Sequence, residues 1–477
     1  MPRAALVGCV LSLTGVLALA QQAPPGAEAR DPRRELAMSA ADGFTVAAVG
    51  DCIIVRPVSQ TPGFAPVGKI VHDADVAFGN FEGTALDLSR TTAIPQAEFG
   101  GVWIIGSPAV AKDLKAIGFD VMSRANNHAT DWGLEGMRET NRALDEAGIV
   151  HAGAAEHRAA SRAARYVDTD KGRVALISIA STFTPLSRSA PPAGQAPGRP
   201  GVNALRTTRY SLVTAAELGA LRKIRDEQPA GSVRLTEKEP ADELELFGVR
   251  YKVGNHRGFT YRMDAVDERE ILKSVRAAKQ QSDFVIVTIH AHEPGNWSQE
   301  PADFLPTLAR EAIDAGADEF IGHGPHQVRG VEVYHGKPIF YSLGNFIFQL
   351  DLLEPVASDL YEQYKMDQAT TTDAEFDAMW NQLVFGGEMW YQSVVTTSRF
   401  EKGRLAEIQL QPIDLNYAAR GADRGVPRPA QPEVARTILE RLQRLSQPFG
   451  TTILIEQGIG VIRPAAEGTS APRPPIS

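Results

Sequence analysis

The sequence predicts an α/β protein with mixed β-sheets, on three observations. Short continuous apolar runs, such as residues 284–289, are typical of strands buried on both faces. Segments with helical spacing, such as residues 134–147, alternate with these runs. A hairpin pattern comes later, where residues 331–334 and 338–341 are joined through Gly336. Alternating strands and helices favour parallel pairing and hairpins pair antiparallel, so together they predict mixed sheets.

Strands are predicted where short apolar runs end at polar or turn residues. In chain order these runs cover residues 44–49, 74–78, 118–122, 174–179, 284–289, 319–321, 331–334 and 338–341, with a last strand-like stretch at 451–462. Most of these runs are rich in the β-branched residues Val and Ile and are too short for typical helices.

Helices are predicted where apolar residues recur at intervals of three and four. Residues 134–147, 265–279 and 304–315 have this spacing. Residues 185–200 are rich in Pro, Gly and Ser, which predicts a loop.

Composition along the chain predicts one main domain with additions. Residues 41–350 contain most of the predicted strands and form this domain, with a charged, weakly periodic insertion at 206–254. Residues 351–463 are less regular, and we expect them to pack on the domain as a C-terminal extension. The Pro-rich tail, 464–477, is predicted to be disordered.

The N-terminus has the pattern of a secretory signal. Arg3 supplies a positive charge, a largely apolar stretch follows, and residues 18–20 (Ala-Leu-Ala) form a cleavage motif before Gln21. We therefore predict a cleavable signal peptide over 1–20, a disordered spacer over 21–40 and export of the mature protein. Retention of the segment as an N-terminal membrane anchor is the alternative.

Size and charge narrow the classes of function. The chain has 477 residues, of which 43% are hydrophobic, enough to fill a substantial core. Its 49 basic and 58 acidic residues give a net charge of −9. No basic block stands out, so nucleic acid is not expected as a partner.

Polar clusters placed at the ends of apolar runs are the main functional signal. They are Gly50-Asp51, Asn80-Phe81-Glu82, Asn126-Asn127-His128 with Asp131, His290-Ala291-His292-Glu293, Gly322-His323-Gly324-Pro325-His326 and Ser342-Leu343-Gly344-Asn345. Carboxylate, Asn amide and imidazole groups bind divalent metals of the zinc, manganese and iron type. Side chains on separate strands converge only if those strands share a sheet edge, so the pattern predicts metal-assisted hydrolysis.

Each cluster also has an ordinary structural interpretation. Gly50-Asp51 could be a simple turn, and Asn127 could adopt a left-handed turn conformation. The two imidazoles of His323 and His326 are more specific, because a Gly-Pro pair separates them and leaves room for both on one side. Of the neighbouring pair, we expect His290 to be a ligand and His292 to lie behind the ligands or contact substrate.

The set of motifs resembles a known family. Residues 45–348 are similar to the CapA group of capsule and poly-γ-glutamate synthesis proteins, within the calcineurin-like metallophosphoesterase superfamily. The matching motifs are Gly50-Asp51 with Arg56, Asn80-Phe81-Glu82, Asn126-Asn127-His128 with Asp131 and Gly133, Gly322-His323-Gly324-Pro325-His326, and Tyr341-Ser342-Leu343-Gly344-Asn345-Phe346. The resemblance implies a four-layer α/β/β/α sandwich of the metallo-dependent phosphatase type, with a metal centre between its two sheets.

The resemblance also implies the ligands of one or two divalent ions of manganese, zinc or iron. Asp51 and His326 would bind one ion, Asn127, His290 and His323 the other, and Glu82 would bridge them. His128, oriented by Asp131, would protonate or hydrogen-bond the leaving group while a metal-activated hydroxide attacks. Arg56 and Arg124 would contact an anion or form surface salt bridges.

Two positions depart from the wider superfamily. Ile53 stands where the first motif usually has a His ligand, and Glu82 replaces the usual bridging Asp. One metal site therefore has a ligand fewer, and a mononuclear centre is a credible alternative.

Two functions follow from the resemblance. The first is an exported metal-dependent hydrolase or transferase in capsule or poly-γ-glutamate synthesis, with an anionic cell-surface polymer or its precursor as substrate. The second is a non-catalytic, polymer-binding accessory subunit that assembles with membrane subunits of a capsule synthesis complex. An amidohydrolase barrel, which also uses a His-x-His pair, is disfavoured because that pair would follow its first strand.

Overall fold

The structure, a computed structural model, describes residues 38–96, 102–229 and 239–464. The predicted signal peptide, most of the predicted spacer and nearly all of the predicted tail lie outside these residues. In chain order the strands are β1 (Phe44–Ile53), β2 (Val76–Phe81), β3 (Thr84–Ala85), β4 (Ile105–Gly106), β5 (Val121–Ser123), β6 (Val150–Ala152), β7 (Ala154–Ala155), β8 (Arg165–Thr169), β9 (Gly172–Ala180), β10 (Gly201–Val202), β11 (Thr207–Val213), β12 (Glu243–Leu246), β13 (Val249–Val253), β14 (Gly258–Met263), β15 (Phe284–His290), β16 (Glu319–His323), β17 (Val331–Tyr334), β18 (Lys337–Phe340), β19 (Asn345–Phe348), β20 (Gln392–Glu401), β21 (Arg404–Asp414), β22 (Arg428–Pro429), β23 (Leu454–Glu456) and β24 (Ile459–Ile462).

The α-helices of the described residues connect and cover these strands. They are α1 (Ala65–His72), α2 (Ala109–Ile117), α3 (Gly133–Ala147), α4 (Arg158–Arg162), α5 (Ala215–Asp226), α6 (Ala265–Lys279), α7 (Phe304–Asp314), α8 (Ser358–Gln363), α9 (Asp373–Phe385) and α10 (Pro432–Ser446). The predicted helices correspond to α3, α6 and α7, and each predicted strand overlaps an observed one.

Two large mixed sheets form the centre of the protein. The first has ten strands, in the order β23-β24-β21-β20-β1-β2-β5-β6, with β19 also paired to β1 and β22 to β21. Strands β19, β2, β5 and β6 run parallel to their neighbours, whereas β20 and β21 are antiparallel additions. The second sheet has six strands, in the order β17-β18-β16-β15-β9-β8, with parallel pairing at its centre.

The sheets pack face to face through an apolar core. Phe44 of β1 meets Phe284 of β15 with ring centroids 5.0 Å apart, and Phe284 meets Phe400 of β20 at 4.8 Å. Strand residues alternate between the faces of a sheet, so β1 gives Val46 and Ala48 to this core and Ala47 to the opposite side.

Helices cover the two outer faces. α1 and α2 pack on the first sheet together with residues 350–391, and α6 and α7 pack on the second. The layer order is therefore α/β/β/α, and the predicted fold class is confirmed.

The predicted insertion contains a small sheet of its own. Strands β12, β13, β11 and β14 pair in that order, with α5 packed against them through Leu218. This unit extends beyond the predicted boundary at Gly254, since its last strand, β14, ends at Met263. It contacts the main body where Tyr261 packs on Phe304, with ring centroids 5.7 Å apart.

The C-terminal region is more integrated than expected. Instead of packing on the outside, β20, β21, β23 and β24 are members of the first sheet, and β20 pairs directly with β1. β20 includes the buried polar residues Ser393, Thr396 and Ser398, so it lacks an apolar run that would predict a strand. Within the described ranges, no helix is long and apolar enough to cross a membrane.

Candidate metal centre

The candidate centre lies where the carboxyl ends of parallel strands from both sheets meet. Glu82 directly follows β2, while His290 and His323 are the last residues of β15 and β16 and face each other in register. Asp51 does not follow β1 as predicted but lies within it, because β1 continues by pairing with β19. Its partners in that pairing and in β2 are Asn345 and Asn80.

Two glycines, Gly50 and Gly324, allow neighbouring backbone segments to lie close to Asp51. A Cβ on Gly50 would lie 1.8 Å from the carbonyl oxygen of Gly344, the same oxygen that accepts the Asp51 N–H at 2.9 Å. Gly324 has φ +115° and donates its N–H to Asp51 Oδ2 at 3.0 Å. The glycines of the two motifs therefore bring Asp51 and the residue after His323 together.

Asp51, His290 and His323 form the first group of donor atoms. His323 Nδ1 lies 3.4 Å from Asp51 Oδ1, His290 Nδ1 lies 3.8 Å from the same oxygen, and the two Nδ1 atoms are 3.1 Å apart. Donor atoms around a tetrahedral zinc ion, with metal–ligand bonds of about 2.0–2.1 Å, are about 3.3 Å apart. The spacing suits a divalent ion of this size.

Glu82, His290 and His292 form the second group. His290 Nε2 lies 3.6 Å from Glu82 Oε1 and 2.8 Å from His292 Nε2. The ring of His290 thus faces both groups, each with a different nitrogen.

His326 belongs with Asp51 and Glu82 in a third group. Its Nδ1 lies 3.5 Å from Asp51 Oδ2 and 3.0 Å from Asn345 Oδ1. Because the Asn345 amide donates to the carbonyl oxygens of His326 and Trp390, its Oδ1 is an acceptor and His326 Nδ1 carries the proton. The Nε2 lone pair of His326 is then available to a metal.

The predicted acid, His128, is held against Asp131. Its Nδ1 lies 2.7 Å from Asp131 Oδ2, and its Nε2 is 3.9 Å from Glu82 Oε1, facing the centre. Asn126 accepts the His128 N–H at 3.1 Å and donates to Asn80 at 3.1 Å. Asn80 in turn donates to Asp51 Oδ1 at 2.8 Å, so the Asn residues of two motifs link His128 to Asp51.

The carboxylates of the centre differ in electrostatic environment. Burial, with Asp51 close by, holds the pKa of Glu82 well above its usual range. Burial acts in the same direction on Asp51, but the neighbouring imidazoles of His323, His326 and His290 together outweigh it and keep its pKa well below normal. Burial also lowers the pKa of His290 and His292, and it raises that of Asp131.

Three buried oxygens in the centre have no hydrogen-bond partner. They are Glu82 Oε1, Glu82 Oε2 and Asn127 Oδ1. Leaving a buried carboxylate without partners is costly, whereas a divalent cation would satisfy it. The donor set of carboxylate, amide oxygen and imidazole fits zinc, manganese or iron.

The structure thus brings together Asp51, Glu82, His290, His323 and His326, with the carboxylate-held His128 beside them. Asn127 is buried, and its role as a ligand stays a prediction. His292, Asn80, Asn345 and Thr288 also take part, although sequence reasoning gave them no primary role. The motif positions of Asn80 and Asn345 and the His-x-His spacing of His292 were the available signals.

Of the two candidate anion contacts, Arg56 and Arg124, the prediction for Arg124 was wrong. It is fully buried, and its Nη1 donates to the carbonyl oxygens of Phe81 and Gly83 at 3.0 and 2.7 Å, so it is neither a surface salt bridge nor open to an anion. Burial lowers its pKa to about 9. Arg56, in contrast, is exposed.

The described residues form a four-layer α/β/β/α sandwich with buried carboxylate and imidazole donors at the edge between its sheets, which is the arrangement that the motif resemblance implies. The chain belongs to the family described as bacterial capsule synthesis protein PGA_cap, whose profile matches residues 45–350. The resemblance inferred from the motifs is thereby confirmed.

The chain is similar to individual proteins over more than half of its length. The uncharacterized protein y4sH of Sinorhizobium fredii is 50% identical over 439 residues, covering 90% of this chain and 94% of that protein. The capsule biosynthesis protein CapA of Bacillus anthracis is 25% identical over 69% of this chain and 65% of its own length. A probable polyglutamine synthesis accessory protein of Mycobacterium tuberculosis is 28% identical over 57% of this chain and 58% of its own.

Among solved structures, a phosphatase from Mycoplasma pneumoniae aligns with 80% of this chain and 98% of its own. The TM-score is 0.37 and the sequence identity 10%.

Proposed function

We propose that this protein is an exported metal-dependent hydrolase or transferase that acts on an anionic cell-surface polymer, such as poly-γ-glutamate or a capsule precursor. The observation that carries the proposal is Glu82, a buried carboxylate without hydrogen-bond partners that faces His290 and His128. A bound cation would neutralise it, and the neighbouring imidazoles are suitable further ligands.

Metal binding assigns roles to the surrounding side chains. Asp51, Glu82, His290, His323 and His326, with Asn127, would hold the ion or ions. When bound, a divalent metal supplies Lewis acidity and lowers the pKa of water.

His128 provides the proton for the leaving group. Asp131 accepts the Nδ1–H of His128 and fixes the ring, which leaves Nε2 facing the centre. Nε2 would then donate a proton or a hydrogen bond to the departing oxygen or nitrogen.

The substrate class comes from the relatives. The matching proteins include a capsule biosynthesis protein and a probable polyglutamine synthesis accessory protein, and both kinds of product are polymers. We propose that this chain acts in the same kind of pathway, in contact with membrane subunits of a synthesis complex.

A non-catalytic accessory role is the second candidate, favoured by Ile53. This side chain is buried in an apolar cluster at the position where the superfamily usually has a His ligand. A weakened centre would suit a subunit that binds polymer without cleaving it.

Hydrolysis assays separate the two functions. The mature protein, loaded with manganese, zinc or iron in turn, would be incubated with an aryl phosphodiester and with poly-γ-glutamate beside Asp51→Asn and His128→Asn. Metal-dependent turnover that both substitutions remove is the expected result. Polymer binding without turnover, unchanged in His128→Asn, would contradict the hydrolase and favour the accessory role.

Export is part of the same proposal. The mass of the protein recovered from the periplasm or medium is expected to correspond to a chain that begins at Gln21. A full-length chain in the membrane fraction would instead indicate the N-terminal anchor.

A further inference from the structure

We propose that His292 is a metal ligand beside Glu82 and His290, and that Thr182 and Arg329 position it. The inference rests on the proposed function, because it assigns one more donor to the same centre. It gives His292 a role that the resemblance does not imply.

The donor geometry around Glu82 supports this role. His290 Nε2 is 2.8 Å from His292 Nε2 and 3.6 Å from Glu82 Oε1, and the three donor atoms all lie within 4.8 Å of one another. Two imidazole nitrogens and one carboxylate oxygen are the three protein ligands of common hydrolytic zinc sites, which keep a fourth position open. Glu82, whose oxygens have no other partner, gains a cation in this arrangement.

Ile53 cannot contribute to the centre. The register between β1 and β19 shifts between Asp51 and Cys52, so the residues after Asp51 no longer alternate regularly. Cys52, Ile53 and Ile54 all lie in the apolar cluster beneath α1 and α2. Ile53 therefore supplies no donor, and His292 is a further imidazole beside Glu82.

The backbone of His292 is held on both sides. Its N–H donates to Thr182 Oγ1 at 2.9 Å, and that hydroxyl donates in turn to Glu293 Oε2 at 3.0 Å. Its carbonyl oxygen accepts from Arg329 Nη2 at 3.4 Å, while Arg329 Nε donates to the carbonyl of Ser298 at 3.2 Å.

These partners are buried, and each makes a second hydrogen bond besides the one with His292. Arg329 is fully buried, and Thr182 is nearly so. A buried guanidinium that donates to backbone carbonyls of one short loop holds that loop in place. Such support behind a ligand is a regular feature of metal sites, and losing it typically costs about 10- to 100-fold in metal affinity.

His292 also lies at the open side of the centre. It is only partly buried, whereas His290 and His323 are fully buried. A ligand at this position would bring an ion within reach of a substrate that enters from solvent. Metal binding by the His292 variants is measured without substrate, because a residue that only contacts substrate would not affect it.

Calorimetric titration of zinc and manganese into chelator-treated mature protein tests the inference. The variants are His292→Ala, His292→Gln, Thr182→Ala and Thr182→Ser, with His256→Ala as the control, because His256 is exposed in the insertion. Circular dichroism and thermal unfolding in chelator check that each variant is folded. The visible spectrum of the cobalt-loaded protein reports the ligand set independently of activity.

The expected result is that both His292 variants lose one equivalent of metal or bind it at least about tenfold more weakly, with an altered cobalt spectrum. Thr182→Ala should weaken binding and Thr182→Ser should restore it, because only a hydroxyl at that position is needed. Equal weakening in both Thr182 variants would overturn the positioning role.

The failures of the two proposals are distinguishable. Wild-type affinity and spectrum in both His292 variants would overturn the inference while leaving a metal centre in place. Absence of metal binding in the wild-type protein would overturn the proposed function itself, and the inference with it.

Discussion

The Nε2 atom of His323 lies 2.9 Å from the hydroxyl of Thr288, and this contact fixes which ring nitrogen faces the centre. Thr288 Oγ1 donates its own hydrogen to the carbonyl of Ile321 at 2.8 Å, so it can only accept from the imidazole. His323 Nε2 therefore carries the proton, and the lone pair of Nδ1 is directed toward Asp51 Oδ1, 3.4 Å away. Thr288, two residues before His290, thus sets the tautomer of His323 on the neighbouring strand.

Replacing Thr288 by Val should weaken metal binding by about 10- to 100-fold, because the ring of His323 loses the partner that sets its tautomer. Titration of zinc into the metal-free protein measures the effect. Thr288→Ser, which keeps the hydroxyl, is the matched control and should bind like wild type. Equal affinity in Thr288→Val would show that the contact does not prepare the ligand.

Asp131→Asn should leave the metal content unchanged but lower hydrolysis by about 10²- to 10⁴-fold, since His128 loses the carboxylate that holds its Nδ1–H. Long-range ¹H–¹⁵N spectra should show a changed tautomer of His128. Asp145→Asn is the control, because Asp145 pairs with His151 outside the centre at 3.3 Å. Loss of metal in Asp131→Asn would show that Asp131 supports metal binding and does more than hold the ring of His128.

Phe385→Ala should destabilise the protein by about 3–5 kcal/mol. Phe385 is buried at the end of α9 and packs on His326 and Trp390, with ring centroids 5.6 and 5.4 Å away. Leu383 on the same helix is 66% exposed, so Leu383→Ala should change stability by no more than about 0.5 kcal/mol. Urea unfolding of both variants measures the difference, and equal effects would show that α9 does not support the centre through Phe385.

Glu319 predicts a pH dependence of stability that is separate from the centre. It is fully buried between the sheets, where Ser398 donates to Oε1 at 3.0 Å and Oε2 has no partner. Burial raises its pKa to about 8, whereas an unfolded Glu titrates near about 4.3. Between these values the folded protein holds a proton that the unfolded chain has lost.

The stabilisation from this proton is therefore complete below pH about 4.3 and is lost as the pH rises toward 8, at up to about 1.4 kcal/mol per pH unit. Glu319→Gln removes the titration, so its free energy of unfolding should rise relative to wild type across this window. Glu146→Gln, at an exposed position, is the control and should show no such trend. A constant difference between Glu319→Gln and wild type from pH 5 to 8 would contradict the burial argument.

The fold and much of the centre could be predicted because the signals are local. Runs such as β15 are buried throughout and mostly apolar, and the polar residues that end them stand at a sheet edge once the strands are parallel. The same logic brought His290 and His323 together without knowledge of their partners.

What could not be predicted depends on contacts between distant segments. Asp51 lies inside β1 because β19 extends the pairing, and β20 is a central strand although its buried face includes Thr396 and Ser398. Arg124 was predicted to contact an anion or form a surface salt bridge, but its environment is set by backbone carbonyls at the end of β2 and just after it. His292 was ambiguous in sequence because Thr182 and Arg329, which hold it, are far away along the chain.

Metal content per chain, measured by plasma mass spectrometry on mature protein purified without chelator, tests the metal centre most directly. His323→Ala would be measured beside it, with His256→Ala as the control. We expect one or two equivalents of zinc, manganese or iron in the wild type and the control, and loss of metal in His323→Ala. Wild-type protein that contains no metal and does not bind added ions would contradict this expectation.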